Sequence, residues 1–416
     1  MKMEVLKKLG LIQRILIGMA VGLGLGLLVP QFTAIGILGD IFVGALKAIA
    51  PILVFVLVIS SLASAKSGTA RNMKNVLFLY ALGTVASALV AVTVNIFYPV
   101  TLALDSSLAV AGAEVTTNIG EVLKTLLMNT VSNPVAALYN ANYIGILSWA
   151  IIFGIAFKYS SEGIKKGLLE ISDVVSMVVK WVITCAPFGV LGLVFKTVAE
   201  TGIEGFATYG KVLIVLVSCM IGVALILNPL IVFLSIKQNP YPLVLKCLKE
   251  SAITAFFTRS SAANIPVNME LCESLGLDED TYSVSIPLGA TVNMAGAAIT
   301  ITTLTLAAVN TLGISVDIPT MIVLSIVASV SAAGTSGVAG GSLMLVPLAC
   351  SLFGISNDIA MQVVGIGFVI GVVQDSCETA LNSSTDVLFT CTAEFRQWKK
   401  MGKAFPSLKH KKENVA

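Results

Sequence analysis

The chain has 416 residues, 56% of them hydrophobic and 12% charged, with a formal net charge of +3 and a mean hydropathy of +0.94. Soluble domains carry about 25% charged residues, so this composition excludes a soluble enzyme and defines an all-α polytopic membrane protein. The single histidine, His410 in the basic tail, removes most histidine-dependent catalysis. Seven cysteines with no C-x-x-C pair argue against a zinc or disulfide framework.

In chain order, Lys2, Lys7, Lys8 and Arg14 precede the apolar run Ile15 to Val29. That run is long, Gly-rich and ends in Val29-Pro30 without a small-residue cleavage site, so it predicts a first spanning helix and not a signal peptide. Further spans are predicted at about Leu38 to Ile59, Val76 to Leu104, Tyr143 to Phe157, Val174 to Ala199 and Val212 to Ile236. Lys47 and Lys180, inside these spans, are read as snorkelling or pairing within a scaffold. Basic clusters at 66–74, 158–166, 237–249 and 396–412 alternate with acidic or weakly charged connections. The positive-inside rule then places both termini in the cytoplasm. The basic clusters serve topology, and no nucleic-acid partner is expected.

After the sixth span the pattern changes. Tyr241 to Leu277 predicts a helix up to Phe257, a polar tip Thr258-Arg259-Ser260-Ser261-Ala262-Ala263-Asn264-Ile265-Pro266, and a second helix ending in Asp278-Glu279-Asp280. Such a segment enters and leaves on one side, as a re-entrant hairpin. Backbone at its tip is tolerated at membrane depth only where it is buried in protein or lines a cavity. The span that follows, about Ser283 to Leu312, is interrupted at Asn293-Met294-Ala295-Gly296, which favours local unwinding and exposes carbonyl oxygens.

The order then recurs. Ile318 to Leu352 carries a Gly-rich tip from Ser331 to Gly341 and is followed by a last span from Ile359. A Gly-rich tip taken alone also fits close packing of small residues between helices. Two hairpins, each followed by a span and entered from opposite sides, are the mark of an inverted repeat, and carriers place substrate and ion sites at such repeat interfaces.

The last span carries Asp375, Glu378, Asn382 and Asp386, separated by three, four and four residues, which puts them on one stripe of an α-helix. Acids on a membrane-grade helix cost several kcal/mol each, by an order-of-magnitude estimate, unless they face a partner, an ion or water. The alternative is that the apolar run ends near Val373 and the acids lie in a solvated loop. Against that stands the distance to the first basic residue beyond them, Arg396.

Two other functional classes can be weighed. Gly334-Thr335-Ser336-Gly337 matches the G-x-S-G pattern of intramembrane serine proteases, but that chemistry needs a general base in reach, and His410 is in the tail. An aspartyl protease needs two acids face to face, whereas Asp375 and Asp386 are about 16 Å apart along one helix. A passive ion channel built from the same polar helices is separated from a carrier only by coupled uptake.

The order of these elements is similar to that of the dicarboxylate/amino acid:cation symporter family. The resemblance rests on the tip Thr258-Arg259-Ser260-Ser261, the run Pro287-Leu288-Gly289-Ala290-Thr291-Val292-Asn293-Met294, the tip Gly334-Thr335-Ser336-Gly337-Val338, and the helix of Asp375, Asn382 and Asp386. It covers essentially the whole chain. It implies eight transmembrane helices plus two re-entrant hairpins in an inverted-repeat elevator transporter, and a homotrimer in a bacterial cytoplasmic membrane. Residues 1–240 would form mainly the trimerisation scaffold, with helices three and six contributing to the moving part. Residues 241–395 would form the transport core, and 396–416 the basic cytoplasmic tail.

The resemblance also implies the site. Asp375 would hold the substrate α-amino group, and Asn382, with Ser261 and nearby hairpin amides, the α-carboxylate; Thr379 would position the ligand, and Ser260 and Val338 would also line the substrate site. Asp386 with carbonyls of Gly289, Asn293 and Asn382 would hold one sodium ion, and the Thr291 carbonyl with Thr335 another. Departures from the family matter as much. Glu378 stands where acidic-substrate members carry an arginine, and Ala297 where they carry a threonine. A carboxylate at 378 repels an acidic side chain in a poorly screened site. The expectation is sodium symport of small neutral hydroxy amino acids, serine and threonine, or else sodium- or proton-coupled carriage of another small amino acid. Ala295 replaces an aspartate of a third ion site, and Gly83 a hydroxyl beside Tyr80 and Thr84, so fewer coupled sodium ions are expected.

Overall fold

The computed structural model describes residues 10–64, 72–104, 124, 127–333 and 340–403, and all regular structure among them is helical. Among the described residues, six helical stretches are long and apolar enough to cross a membrane. The first three are α1 (Leu11–Leu28), α2 (Ile37–Ser64) and α3 (Met73–Phe97). A short α4 (Pro134–Tyr139), capped by the Asn133 side chain, leads into α5 (Tyr143–Phe157), capped by Asn142.

The region after α5 differs from the hydropathy reading. The helix here starts at Glu162, as α6 (Glu162–Thr184), and passes through Cys185 into α7 (Ala186–Gly222). The first half of α6 is amphipathic, with Glu162, Lys165, Lys166, Glu170 and Asp173 interrupting the apolar run, so hydropathy detects only its second half. With the π-turn Val223–Leu227 and α8 (Asn228–Ile236), the helical stretch from Ala186 is 51 residues long. That is about 76 Å at helical rise, against a hydrocarbon core of about 30 Å, so it cannot be one span. Gly202, at φ 71° and ψ −170°, breaks it.

Close backbone contact holds the N-terminal half together. A Cβ added at Gly18 or Gly22 of α1 would lie 2.2 Å from the Pro187 carbonyl oxygen or 2.4 Å from that of Leu191 on α7. Only glycine permits that approach, and packing of this kind holds helices together where lipid offers no hydrophobic drive.

The C-terminal half contains both predicted hairpin segments. The first runs through α9 (Tyr241–Cys247), a π-turn at Leu248–Ala252 and α10 (Ile253–Thr258). It turns at Arg259, which is left-handed at φ 51°, and returns as α11 (Ser261–Ser274). Next, α12 (Glu279–Val292) stops at Asn293-Met294, and α13 (Ala295–Thr311) restarts two residues later. The second hairpin has α14 (Ile318–Ala332), a 3-10 turn at Leu343–Leu345 and α15 (Val346–Ser351). Its tip, 334–339, with the sequence-predicted site residues Thr335 and Val338, lies outside the described residues.

Last comes α16 (Asn357–Lys400), continuous through the acidic stripe, with Asp375, Glu378, Asn382 and Asp386 all buried. The solvated-loop reading is therefore overturned. The reason is tertiary: Arg259, Asn293, Thr300, Ser342 and Gln374 supply the hydrogen bonds that the carboxylates of the stripe need at depth.

Between the two halves lies a cavity of about 440 Å³, lined by Val58 and Leu62 of α2, Leu147 and Ile151 of α5, Leu77 and Ala81 of α3, Leu288 of α12 and Val330 of α14. The halves also meet through charge. Lys47 of α2 pairs with Asp358 at the start of α16, so it pairs across the two halves of the chain and not within the N-terminal half.

Candidate functional site

The site is built where the first hairpin, the α12–α13 break and α16 meet. Beginning with the hairpin tip, Ser260 is the N-cap of α11 and its hydroxyl accepts from the Ala263 N–H at 3.2 Å. The left-handed Arg259 just before it turns its guanidinium to α16: Nε donates to Asp375 Oδ2 at 2.6 Å and Nη2 to the Gly371 carbonyl at 3.4 Å. Gly340, at the far side of the second hairpin's tip, donates its N–H to Asp375 Oδ1 at 3.3 Å. One carboxylate thus ties both hairpins to α16.

One turn further, Glu378 is held differently. Its Oε2 accepts from Thr300 Oγ1 (2.8 Å, α13), Ser342 Oγ (2.8 Å, second hairpin) and Gln374 Nε2 (2.5 Å, α16). Gln374 also donates to Thr300 Oγ1 at 2.8 Å. Among the described residues, every partner of Glu378 is a neutral donor.

Asn382 caps the restart of α13, its Oδ1 accepting from the Gly296 N–H at 2.7 Å, while its Nδ2 faces the Met294 sulfur at 3.5 Å. A thioether is a weak acceptor, so this amide keeps donor capacity for a ligand. Thr379 donates to the Asp375 carbonyl at 2.8 Å, leaving its oxygen free to accept. Ser261 is buried beside the tip.

Deeper along α16, Asp386 is fully buried. Its Oδ1 accepts from Asn293 Nδ2 at 2.8 Å, whereas Asp386 Oδ2 and Asn293 Oδ1 are buried without a partner among the described residues. The Asn293 amide also reaches the Asn382 carbonyl at 3.2 Å and Thr385 Oγ1 at 2.8 Å. From α3, Tyr80 donates toward the Ser285 and Asp386 carbonyls at 3.1 and 3.2 Å. Gly289 completes the wall: a Cβ there would lie 2.6 Å from Asp386 Oδ1 and 2.8 Å from Tyr80 Oη. A buried, unpaired carboxylate oxygen beside an unpaired amide oxygen is costly, and a hard cation satisfies both. Thr291, one turn away, spends its hydroxyl on the Leu288 carbonyl at 2.9 Å. No group of three or more His, Cys, Asp or Glu able to hold a metal occurs among the described residues.

Sequence reasoning missed three features. The first is the Gln374–Thr300–Ser342 set around Glu378; its signal was the run of hydroxyl residues on a buried α13. The second is a fully buried cluster in which the Asn264 amide reaches Ser383 Oγ at 2.8 Å, Asn268 Nδ2 reaches the Ser383 carbonyl at 3.1 Å, and Ser251 donates to Asn268 Oδ1 at 2.6 Å. It bolts both arms of the first hairpin to α16, and the π-turn that positions Ser251 leaves no mark in residue pattern. The third is the packing role of Gly83, read from the sequence only as a lost hydroxyl: a Cβ there would lie 2.5 Å from the Phe389 ring.

Two hairpins and a broken helix gathered around buried carboxylates, within helices long enough to span a membrane, define a secondary carrier. A family profile described as "Sodium:dicarboxylate symporter family" matches residues 11–394. The serine/threonine transporter SstT of Streptococcus thermophilus is 58% identical over 390 residues, 94% of this chain and 97% of that one. The protein of the same name from Streptococcus agalactiae serotype III is 60% identical over 388 residues, 93% and 96% of the two chains. The chain belongs to the sodium:dicarboxylate symporter family and is an integral membrane protein.

Proposed function

We propose that this protein imports serine and threonine across a bacterial cytoplasmic membrane by symport with sodium. In this reading Asp375 takes the substrate ammonium, Asn382 with the first-hairpin tip takes the carboxylate, and Glu378 rejects acidic side chains. Asp386, Asn293 and the carbonyls of Gly289 and Asn382 take one sodium ion. Thr291, Thr335 and the second-hairpin backbone take another, and Val338 covers the substrate. The observation that carries the reading is the pair of buried oxygens without a partner among the described residues, Asp386 Oδ2 and Asn293 Oδ1, one turn from Asn382, whose amide keeps donor capacity. The names of the relatives support the choice of substrate.

Arg259 stands in for the substrate ammonium at Asp375, so loading exchanges one cation for another without leaving a buried charge unpaired. The chain then has eight spanning helices and two hairpins, with both termini cytoplasmic. A scaffold within 1–240 trimerises, and the 241–395 core slides against it. The apolar cavity between the two halves suits such sliding, because few polar bonds have to be exchanged. The test is serine binding to purified protein in sodium against choline chloride. Sodium-dependent binding is expected, and equal binding in both salts would refute the ion site.

A further inference from the structure

The second hairpin reaches Asp375 through Gly340, whose N–H donates to Asp375 Oδ1 at 3.3 Å. An aromatic ring supports that N–H from behind. Gly340 is left-handed at φ 75°, and a Cβ there would lie 2.9 Å from Phe368 Cε1 and 3.1 Å from its Cζ, so the Gly340 backbone rests on the Phe368 side chain. Phe368 stands seven residues before Asp375 on α16, which puts ring and carboxylate on one face of that helix. The two hold the same glycine, one by contact and the other by a hydrogen bond. Phe368 is fixed in turn from the N-terminal half. The Phe42 ring on α2 meets it edge to face, with centroids 5.2 Å apart and planes at 79°. Phe42 itself lies on the bare backbone of α7, since a Cβ added at Gly189 would lie 2.3 Å from Phe42 Cγ. Both rings are buried.

Building on the proposed substrate site, we infer that Phe368 is a positioning residue that holds the Gly340 N–H on Asp375, and that Phe42 acts on the site only through Phe368. Close-packed rings have few alternative positions, so a row of contacts from α7 through α2 and α16 fixes where Gly340 sits. Gly340 then orients the carboxylate through Oδ1 and leaves Oδ2, to which Arg259 donates, for the substrate ammonium. Substrate affinity therefore depends on how α16 is seated against α2, through two side chains that do not touch the ligand. Val43 of the same α2 turn supports this seating, because a Cβ at Gly365 of α16 would lie 3.0 Å from Val43 Cγ2.

The test is serine binding by calorimetry, in sodium chloride, to the purified full-length protein carrying Phe368→Leu, Phe42→Leu or both. The serine Kd is expected to rise about tenfold in Phe368→Leu and about threefold in Phe42→Leu, the range an aromatic pair spans. In the double variant it should rise no further than in Phe368→Leu alone, since residues that act through one shared contact are not additive. Phe368→Met, which fills the space without a ring, gives the same readout should Phe368→Leu not fold. The half-saturating sodium concentration for thermal protection without serine is expected to stay at the wild-type value, because Asp386 is about 16 Å further along α16. Phe55→Leu, which breaks the edge-to-face pair of Phe55 with Phe153 inside the N-terminal half, should leave the serine Kd unchanged. Single effects that multiply in the double variant, a sodium half-saturation that rises together with the serine Kd, or a folded Phe368→Leu protein with the wild-type Kd overturns the inference. Wild-type protein that binds no serine in sodium instead overturns the proposed function beneath it.

Discussion

Gly289→Ala adds one methyl group to the wall of the proposed sodium site. The new Cβ would lie 2.6 Å from Asp386 Oδ1 and 2.8 Å from Tyr80 Oη, where ordinary contact begins near 3.4 Å. Tyr80 is pinned by the Ser285 and Asp386 carbonyls and by Thr390, so the carboxylate has to retreat by roughly 0.8 Å, the shortfall from ordinary contact that close packing does not absorb. For a cation held at about 2.4 Å, the distance of hard oxygen ligands, lengthening to about 3.2 Å at an effective dielectric of about 20 loses about 1.7 kcal/mol of attraction. That is roughly a fifteen- to twentyfold rise in the half-saturating sodium concentration. The assay is the sodium dependence of serine uptake in proteoliposomes, with serine affinity at saturating sodium expected within about threefold of wild type. Gly210→Ala, where an added methyl meets nothing within 4 Å, is the control. A folded Gly289→Ala protein with unaltered sodium dependence would refute the assignment of Asp386 to the ion.

Other consequences follow from the same contacts. Arg259→Ala removes the resident cation from Asp375, and the serine Kd measured by calorimetry should fall about tenfold, as for loss of a competing charged hydrogen bond; an unchanged Kd would mean that substrate does not displace the guanidinium. Asn268→Leu strips Ser383 and Ser251 of a buried partner, and thermal melting in detergent should register a loss of about 1–3 kcal/mol with the serine to alanine ratio unchanged. Gly22→Val drives a side chain into the Leu191 carbonyl on α7; the result should be a lower melting temperature and, in the protein that remains folded, ordinary sodium dependence. A normal melt for Gly22→Val would contradict the close packing of α1 on α7.

The elements that are plain in the sequence are those whose physics is local. The turn at Arg259-Ser260 and the break at Asn293-Met294 appear where residue chemistry places them, because a left-handed Arg259, an N-capping Ser260 and an interrupted helix are short-range events; the tip is shorter than its polar sequence predicts, since Ser261 to Pro266 already belong to α11. Spacing alone puts Asp375, Glu378, Asn382 and Asp386 on one face, and α16 keeps them there. What is not legible comes from long-range packing. No periodicity brings Thr300, Ser342 and Gln374 to one oxygen of Glu378, or Asn264 and Asn268 to Ser383. Hydropathy likewise misses the start of α6 at Glu162, since an amphipathic half-helix carries its apolar residues in a stripe and not in a run. Lys47 is a similar case: its charge is visible in the sequence, but its partner is 311 residues away at Asp358.

The function proposed for this chain is sodium-driven carriage of small hydroxy amino acids. Its most direct test is uptake of radiolabelled serine into proteoliposomes with and without an inward sodium gradient, in competition with threonine, alanine and aspartate. Accumulation is expected only with the gradient, with strong competition by threonine and none by aspartate. Uptake without sodium dependence, or competition by aspartate, would contradict it.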